Sequence, residues 1–213
     1  MAGKFELVVR RNLPTGIRHI LRLGRHAVAK KREPSPDLPP ELLTDCRVCA
    51  SRYDLLKVLP HGGRIVEVGT YKGDFAKHIL ATCNPTELHL VDLDFSLVDA
   101  AVMNDARVTR HVGQSHDTLA GFPNDHFDWI YIDADHSFAA TTRDAFAAAP
   151  KVKPGGYLVF NDFAHVDMYL GAYGVHRAVM EFAIKQKWPL AWLAYDAHAL
   201  YDVALQRPLS RSN

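Results

Sequence analysis

Arg64-Ile65-Val66-Glu67-Val68-Gly69-Thr70-Tyr71-Lys72-Gly73-Asp74-Phe75 is the stretch on which the fold turns. Its first five residues make a short, largely apolar run that stops at a glycine, as a strand in a covered sheet does. Gly69 can take a positive φ and lets backbone come close to a ligand. A helix is expected from about Lys72 to Thr82, and Gly73 opens it at the same mouth. Strand, glycine turn and helix form the first unit of an alternating α/β domain. Ligands in such domains sit beyond the carboxyl ends of the strands, near the reversal of strand order.

The same alternation continues outward from this unit. A helix is expected over about 42–58 before it, then a strand at 88–92, a helix at 95–104 and a weaker strand at 107–112. Phe127-Asp128-Trp129-Ile130-Tyr131-Ile132-Asp133 reads as a strong strand, followed by a helix over about 138–149. Pro154-Gly155-Gly156 is expected to turn the chain into the strand Tyr157–Phe160, with a long helix over about 173–187. Pro189–Tyr195 and Ala199–Gln206 are apolar-rich and separated by Asp196-Ala197-His198, with no room for a helix. They should pair as an antiparallel edge hairpin. The expected fold is therefore α/β: a doubly wound, Rossmann-like sheet of five parallel strands plus a C-terminal antiparallel hairpin, seven strands in all.

The spacing in the first turn discriminates between ligands. A dinucleotide site wants G-x-G-x-x-G, with the middle glycine making room for a pyrophosphate. Here that position is Tyr71, and Glu67 precedes the turn. A carboxylate there would repel a pyrophosphate and would suit the ammonium and sulfonium charges of S-adenosylmethionine. Asp92, ending the second strand, can accept hydrogen bonds from ribose hydroxyls. After the third strand, Gly113-Gln114-Ser115 offers a tight turn and an amide, which either reads an adenine edge or simply shapes the turn.

Four segments carry a resemblance: Ile65-Val66-Glu67-Val68-Gly69, Leu88-His89-Leu90-Val91-Asp92, Tyr131-Ile132-Asp133-Ala134-Asp135-His136-Ser137 and Lys153-Pro154-Gly155-Gly156. From about Cys46 to Gln206 the chain resembles class I S-adenosylmethionine-dependent methyltransferases, in particular bacterial small-molecule O-methyltransferases of the catechol and caffeoyl-CoA type. That resemblance implies methyl transfer from S-adenosylmethionine to a small molecule, most readily to a hydroxyl oxygen. It places Glu67, Gly69, Asp92 and Gln114 in the cofactor pocket, with Thr70, Tyr71, Gly73, Leu93, Ser115 and Asp133 completing the candidate set.

At the reacting end, Asp133 closes the fourth parallel strand, and Asn161 and Asp162 close the fifth. Two carboxylates and an amide oxygen form a hard-oxygen set suited to Mg²⁺ or another hard divalent cation. Such an ion could bind an acceptor hydroxyl and lower its pKa. Catechol-type relatives end this strand in Asp-Asn, whereas this sequence reads Asn161-Asp162-Phe163, which puts the third ligand in question. His136 and His165 are candidate general bases, because imidazole titrates near neutrality, and Asp133 joins them as a candidate catalytic group. Phe138, Phe163, Tyr169 and Tyr173 either wall an acceptor pocket or pack in the core.

Composition sets the outer bounds. The chain has 213 residues and is 48% hydrophobic, enough for one buried core. It holds no apolar run of the roughly 18 residues that a membrane-spanning helix needs. Three cysteines in a chain of this size argue against a disulfide framework. Cys46-Arg47-Val48-Cys49 lacks the further ligands of a zinc site, and both thiols are expected unpaired on a helix.

The net charge of +1 hides an asymmetry. Residues 1–32 hold nine Lys/Arg against one acid, Glu6, while the other 181 residues hold sixteen against twenty-three. Leu13, Ile17, Ile20, Leu21 and Val28, with Gly24 among them, have helical spacing, and Arg18, Arg22 and Arg25 share another face. Three domains of the chain follow: a basic amphipathic helix in 1–32, a Pro-rich linker at 33–41 and a catalytic domain at 42–213. The basic segment suits an anionic membrane surface, a cover over the active site, or a homodimer contact. Nucleic acid is disfavoured, because the rest of the chain is net acidic. The reading is of a cytoplasmic protein, with peripheral contact to the inner membrane face through residues 12–32 as an option. Two other functions remain open at this level: an NAD(P)-dependent oxidoreductase, and a methyltransferase-fold scaffold without chemistry.

Overall fold

The computed structural model describes residues 34–164, 166–167, 171–195 and 201–209. The basic helix expected in 1–32, His165, Tyr169 and the turn at 196–198 lie outside these residues. In chain order the strands are β1 (Arg47–Cys49), β2 (Arg64–Val68), β3 (Glu87–Asp92), β4 (Val108–Val112), β5 (Phe127–Ile132), β6 (Val152–Phe160), β7 (Val166–Asp167), β8 (Gly171–Ala172), β9 (Leu190–Ala194) and β10 (Asp202–Gln206). The helices are α1 (Arg52–Val58), α2 (Asp74–Cys83), α3 (Ala100–Met103), α4 (Ser115–Gly121), α5 (Phe138–Ala148) and α6 (Val175–Gln186).

Among the described residues, eight strands form one sheet in the order β1-β9-β10-β6-β5-β2-β3-β4. The run β6-β5-β2-β3-β4 is parallel throughout. β10 lies antiparallel between β6 and β9. This is the expected parallel five plus C-terminal hairpin, extended by the short edge strand β1, which runs parallel to β9. β7 and β8 pair with each other, Val166 with Ala172 and Asp167 with Gly171, as a separate two-stranded sheet. No described helix is long and apolar enough to cross a membrane.

β2 shows why the sheet is covered on both faces. Alternate residues go to opposite faces of a strand. Val66 and Val68 join Ile130, Ile132, Leu158, Phe160 and residues of α4, α5 and α6 in one core layer. Ile65 packs on the other side with Leu88, Leu90, Trp129, Tyr131 and residues of α1, α2 and α3. Glu67 follows Ile65 by two, so alternation sends its side chain toward that second layer, level with Tyr131 in the register of β5. Strand order reverses between β2 and β5, which puts the loops after these strands side by side.

Four local expectations are corrected. The helix expected over 42–58 is instead a 3-10 turn at Pro40–Leu42, strand β1 and helix α1. Ser51 caps α1 by accepting the Asp54 amide, so the helix starts there. Cys46 and Cys49 are free, as expected, but they flank and end an edge strand rather than lie on a helix. The helix expected over 95–104 shrinks to α3, because Asp94 binds the Ser96 amide in a tight turn and Asp99 caps the first helical residues. Pro154-Gly155-Gly156 do not precede β6 but lie inside it, where the register against β5 jumps between Phe127 and Trp129. Proline cannot donate to a ladder, so a bulge accommodates it. The expected turn Gly113-Gln114-Ser115 leads directly into α4, with Gln114 as its N-cap residue.

Candidate functional site

The turn after β2 is fixed from three sides. Gly69 has φ +86°, and a Cβ on it would lie 1.8 Å from the carbonyl oxygen of Asp133. Its amide donates to Val91 O, and the Asp133 amide donates to Val68 O. The Asp92 carboxylate holds the rest: one oxygen accepts the Thr70 and Tyr71 amides at 2.8 and 2.9 Å, the other the Leu93 amide at 2.6 Å. Gly73, also at positive φ, leads into α2, and a Cβ there would press on Val98. Gly69→Ala is expected to cost about 3–5 kcal/mol of stability or to prevent folding, because strain and a backbone clash coincide. Urea denaturation measures it, and a loss under about 1 kcal/mol would mean that the turn does not pack against Asp133.

Glu67 is 1% exposed, and one carboxyl oxygen has no hydrogen-bond partner among the described residues. The buried Thr70 hydroxyl makes no well-directed hydrogen bond either, but it stands close enough to Glu67 to favour the carboxylate against its burial. Burial, then the nearby Asp133 and Asp92 carboxylates, push the Glu67 pKa well above the usual carboxylate range. An unsatisfied buried carboxyl is costly, and a cation placed against it removes that cost. Tyr71 (63% exposed), Leu93 and Gln114 stand open to solvent around this turn, available to a ligand. Ser115 is more committed, because its hydroxyl donates to Asp144 at 2.6 Å.

The reacting end gathers on the loops after β5 and β6. His136 Nε2 lies 3.4 Å from an Asp133 oxygen and 3.5 Å from an Asp162 oxygen, and it makes no well-directed hydrogen bond among the described residues. Its ring stacks on Tyr173 at 4.7 Å. The His136 carbonyl accepts the Gly174 amide, which ties the loop to the start of α6. Asp135 accepts the Ser137 amide, while Ser137 caps α5. Burial pulls the His136 pKa down, but the Asp133, Asp162 and Asp135 carboxylates outweigh it and hold the pKa above the ordinary imidazole value. Asp162 adopts φ +54°, a strained conformation that aspartate tolerates better than most residues.

Behind this pair lies a buried polar network. Arg52 of α1 donates to Asn161 Oδ1 at 2.6 Å and to Asp202 at 3.2 Å, and the Tyr131 hydroxyl donates to Asp202 at 2.7 Å. Burial works against the Arg52 cation, but Tyr131, Asp202, Asp133 and Asp162 together raise its pKa. Burial also pushes Asp202 up to about 7, against the pull of Arg52 and Tyr131. The sequence alone does not single out Asp202 or the Tyr131 hydroxyl. An acid opening an otherwise apolar strand, Asp202-Val203-Ala204-Leu205, was the available signal, since buried acids have partners.

This geometry bears on the expected metal ligands. Asn161 Oδ1 already accepts from Arg52 and from the Asp162 amide, each at 2.6 Å. Those two bonds fill both lone pairs of an amide oxygen, and one donor is a cation. The set Asp133, Asn161, Asp162 therefore does not fit a hard divalent ion as arranged. Phe163, a candidate pocket wall, is buried in the core and packs its ring at a tilt against His176. Phe138 lies under the Arg177 guanidinium.

Comparison with known proteins agrees with this architecture. Residues 66–163 match the family model described as a methyltransferase domain. No curated protein matches the chain in sequence. Among solved structures, an O-methyltransferase family protein from Burkholderia thailandensis is similar, at 14% identity and TM-score 0.58, over 75% of this chain and 56% of that one. The N-methyltransferase NodS from Bradyrhizobium japonicum WM9, in complex with S-adenosyl-L-homocysteine, is 13% identical at TM-score 0.57, over 74% and 86%. Spermidine synthase from Thermotoga maritima is 13% identical at TM-score 0.53, over 76% and 58%. The chain thus spans little more than half of the first and third of these proteins. At such identities the likeness establishes the fold they share.

Proposed function

We propose that the chain transfers a methyl group from S-adenosylmethionine to a hydroxyl oxygen of a small molecule, with His136 as general base. The observation that carries the reading is the buried Glu67 carboxyl with an unpartnered oxygen, set beside the Gly69 turn. It fits a cationic ligand and opposes a pyrophosphate, which disfavours the NAD(P) alternative. The methyltransferase-domain match over residues 66–163 supports the same donor.

In this reading Glu67, Gly69, Thr70 and Tyr71 hold the charged end of the donor, and Asp92, Leu93 and Gln114 hold its nucleoside. The donor, when bound, supplies an electrophilic methyl group. The protein's own part is to place the acceptor and remove its proton. His136 is held by Tyr173 and by the backbone bond to Gly174, with Nε2 between two carboxylates. Neutral, that nitrogen can take a hydroxyl proton, and Asp133 and Asp162 stabilise the imidazolium that forms. A hydroxyl gains most from such a base, because it is a weak nucleophile until its proton leaves. The Arg52–Asp202–Tyr131 network keeps Asp162 and Asn161 in place from behind.

The test is a screen of small phenols, alcohols and amines with methyl-labelled donor, each run with and without a strong chelator. Label should appear on a hydroxylic acceptor at an undiminished rate in chelator, because Arg52 occupies the expected third ligand oxygen. Transfer only to amines would refute the oxygen assignment, and activity restored by Mg²⁺ alone would refute the metal-free base.

A further inference from the structure

A second constellation lies at the opposite end of the sheet, where the strands begin. Glu87 opens β3, His89 follows two residues later on the same strand face, and His126 immediately precedes β5. One ligand atom from each, a Glu87 carboxylate oxygen and a nitrogen of each imidazole, lies within 4.8 Å of the other two. None of these residues belongs to the Gly69 turn or the His136 cluster. We propose that Glu87, His89 and His126 bind a divalent transition-metal ion of the zinc type.

Geometry carries the proposal. Nitrogen and oxygen ligands about 2.0–2.1 Å from a tetrahedral zinc lie about 3.3 Å from each other. His89 Nε2 and Glu87 Oε2 are 3.3 Å apart. The other Glu87 oxygen accepts from Arg64 at 3.1 Å, which orients the carboxylate and leaves Oε2 to His89. His89 is the better-buried ligand, with a side chain 12% exposed. His126 brings the third ligand from the segment joining α4 to β5, its ring 6.4 Å from that of His89.

His111 completes the arrangement from β4. His89 Nδ1 and His111 Nε2 are 2.9 Å apart, so one of them donates to the other. With the proton on His89 Nδ1, His89 Nε2 presents a lone pair to the ion and His111 accepts. This is the outer-shell hydrogen bond that orients metal-binding imidazoles. Moving that proton from one tautomer to the other keeps the same hydrogen bond, so metal binding need not break it. Two imidazoles and one carboxylate suit zinc, cobalt or iron rather than magnesium or calcium. The ion would bridge β3 to the start of β5 across β2, acting as a staple at the base of the sheet.

The test uses the full chain freed of metal by a chelator, titrated with Zn²⁺ by calorimetry and with Co²⁺ by visible absorption. The expected result is one tight equivalent per chain, a Co²⁺ spectrum of low coordination number and a rise in Tm on the order of 5 °C at saturating zinc. Glu87→Gln and His126→Ala should each weaken binding at least tenfold while leaving the metal-free Tm within a few degrees. Should one variant fold poorly, the other still decides. His136→Ala should leave zinc binding unchanged. Absence of a tight equivalent, binding indifferent to both Glu87 and His126, or binding lost in His136→Ala would each overturn the proposal.

Discussion

Replacing Glu67 by Gln is expected to weaken S-adenosylmethionine binding about 100-fold while making the ligand-free protein more stable at neutral pH. Both effects come from one buried carboxyl with an unpartnered oxygen. Removing one partner of a buried charge pair costs 2–5 kcal/mol, and 100-fold corresponds to about 2.7 kcal/mol. Without ligand the sign reverses. Burial raises the Glu67 pKa in the folded state above its unfolded value of about 4.3. The native state therefore holds its proton longer than the unfolded chain does. Stability is full below that unfolded value and declines as pH rises toward the folded pKa. Gln cannot ionise, so the variant should lose this decline. Calorimetry and thermal unfolding between pH 5 and pH 8 read the two halves separately. S-adenosylhomocysteine keeps the ammonium and lacks the sulfonium charge, so a smaller loss for it would assign Glu67 to the sulfonium. Unchanged affinity for both ligands would show that Glu67 does not face the donor.

The second large effect is expected from His136→Ala, which should lower kcat by about 10²–10⁴ with donor affinity unchanged. The wild-type rate should rise with pH through a value above the ordinary imidazole pKa, because Asp133, Asp162 and Asp135 favour the protonated ring against its burial. Asp162→Asn removes one of those charges and should move the rising limb to lower pH. Linkage supplies a readout that needs no acceptor. A histidine with a raised folded pKa contributes stability that is fully present below about 6.5 and is lost as pH rises through the folded value. His136→Ala should flatten that part of the stability profile. A variant with wild-type kcat, or a rate limb that ignores Asp162, would remove His136 from the chemistry.

How much of this was legible in the sequence depended on the range of the physics. β2 and β5 are buried on both faces, so each reads as a continuous apolar run, and the glycine and aspartate that end them stand out. Edge elements carry less signal. β1 has three residues, with Val48 70% exposed, and it exists because β9 offers it a ladder. α3 is set by the Asp99 cap rather than by periodicity. Asp133 and His136 share one short loop, so their proximity follows from the chain itself. Arg52 and Asp202 are 150 residues apart, and no local pattern encodes their contact. Arg52 and Asn161 are 109 residues apart, so the bond that takes up the Asn161 oxygen is equally invisible to local pattern. Glu87, His89 and His126 each read singly as an ordinary strand or loop residue, and only the fold brings them together.

The most direct measurement of the central claim is calorimetric titration of the intact chain with S-adenosylmethionine, S-adenosylhomocysteine and NAD in turn. The account requires one site per chain that binds the first two and not the third, with both affinities falling in Glu67→Gln. Binding of NAD alone, or no binding of any of the three to a folded protein, would contradict it.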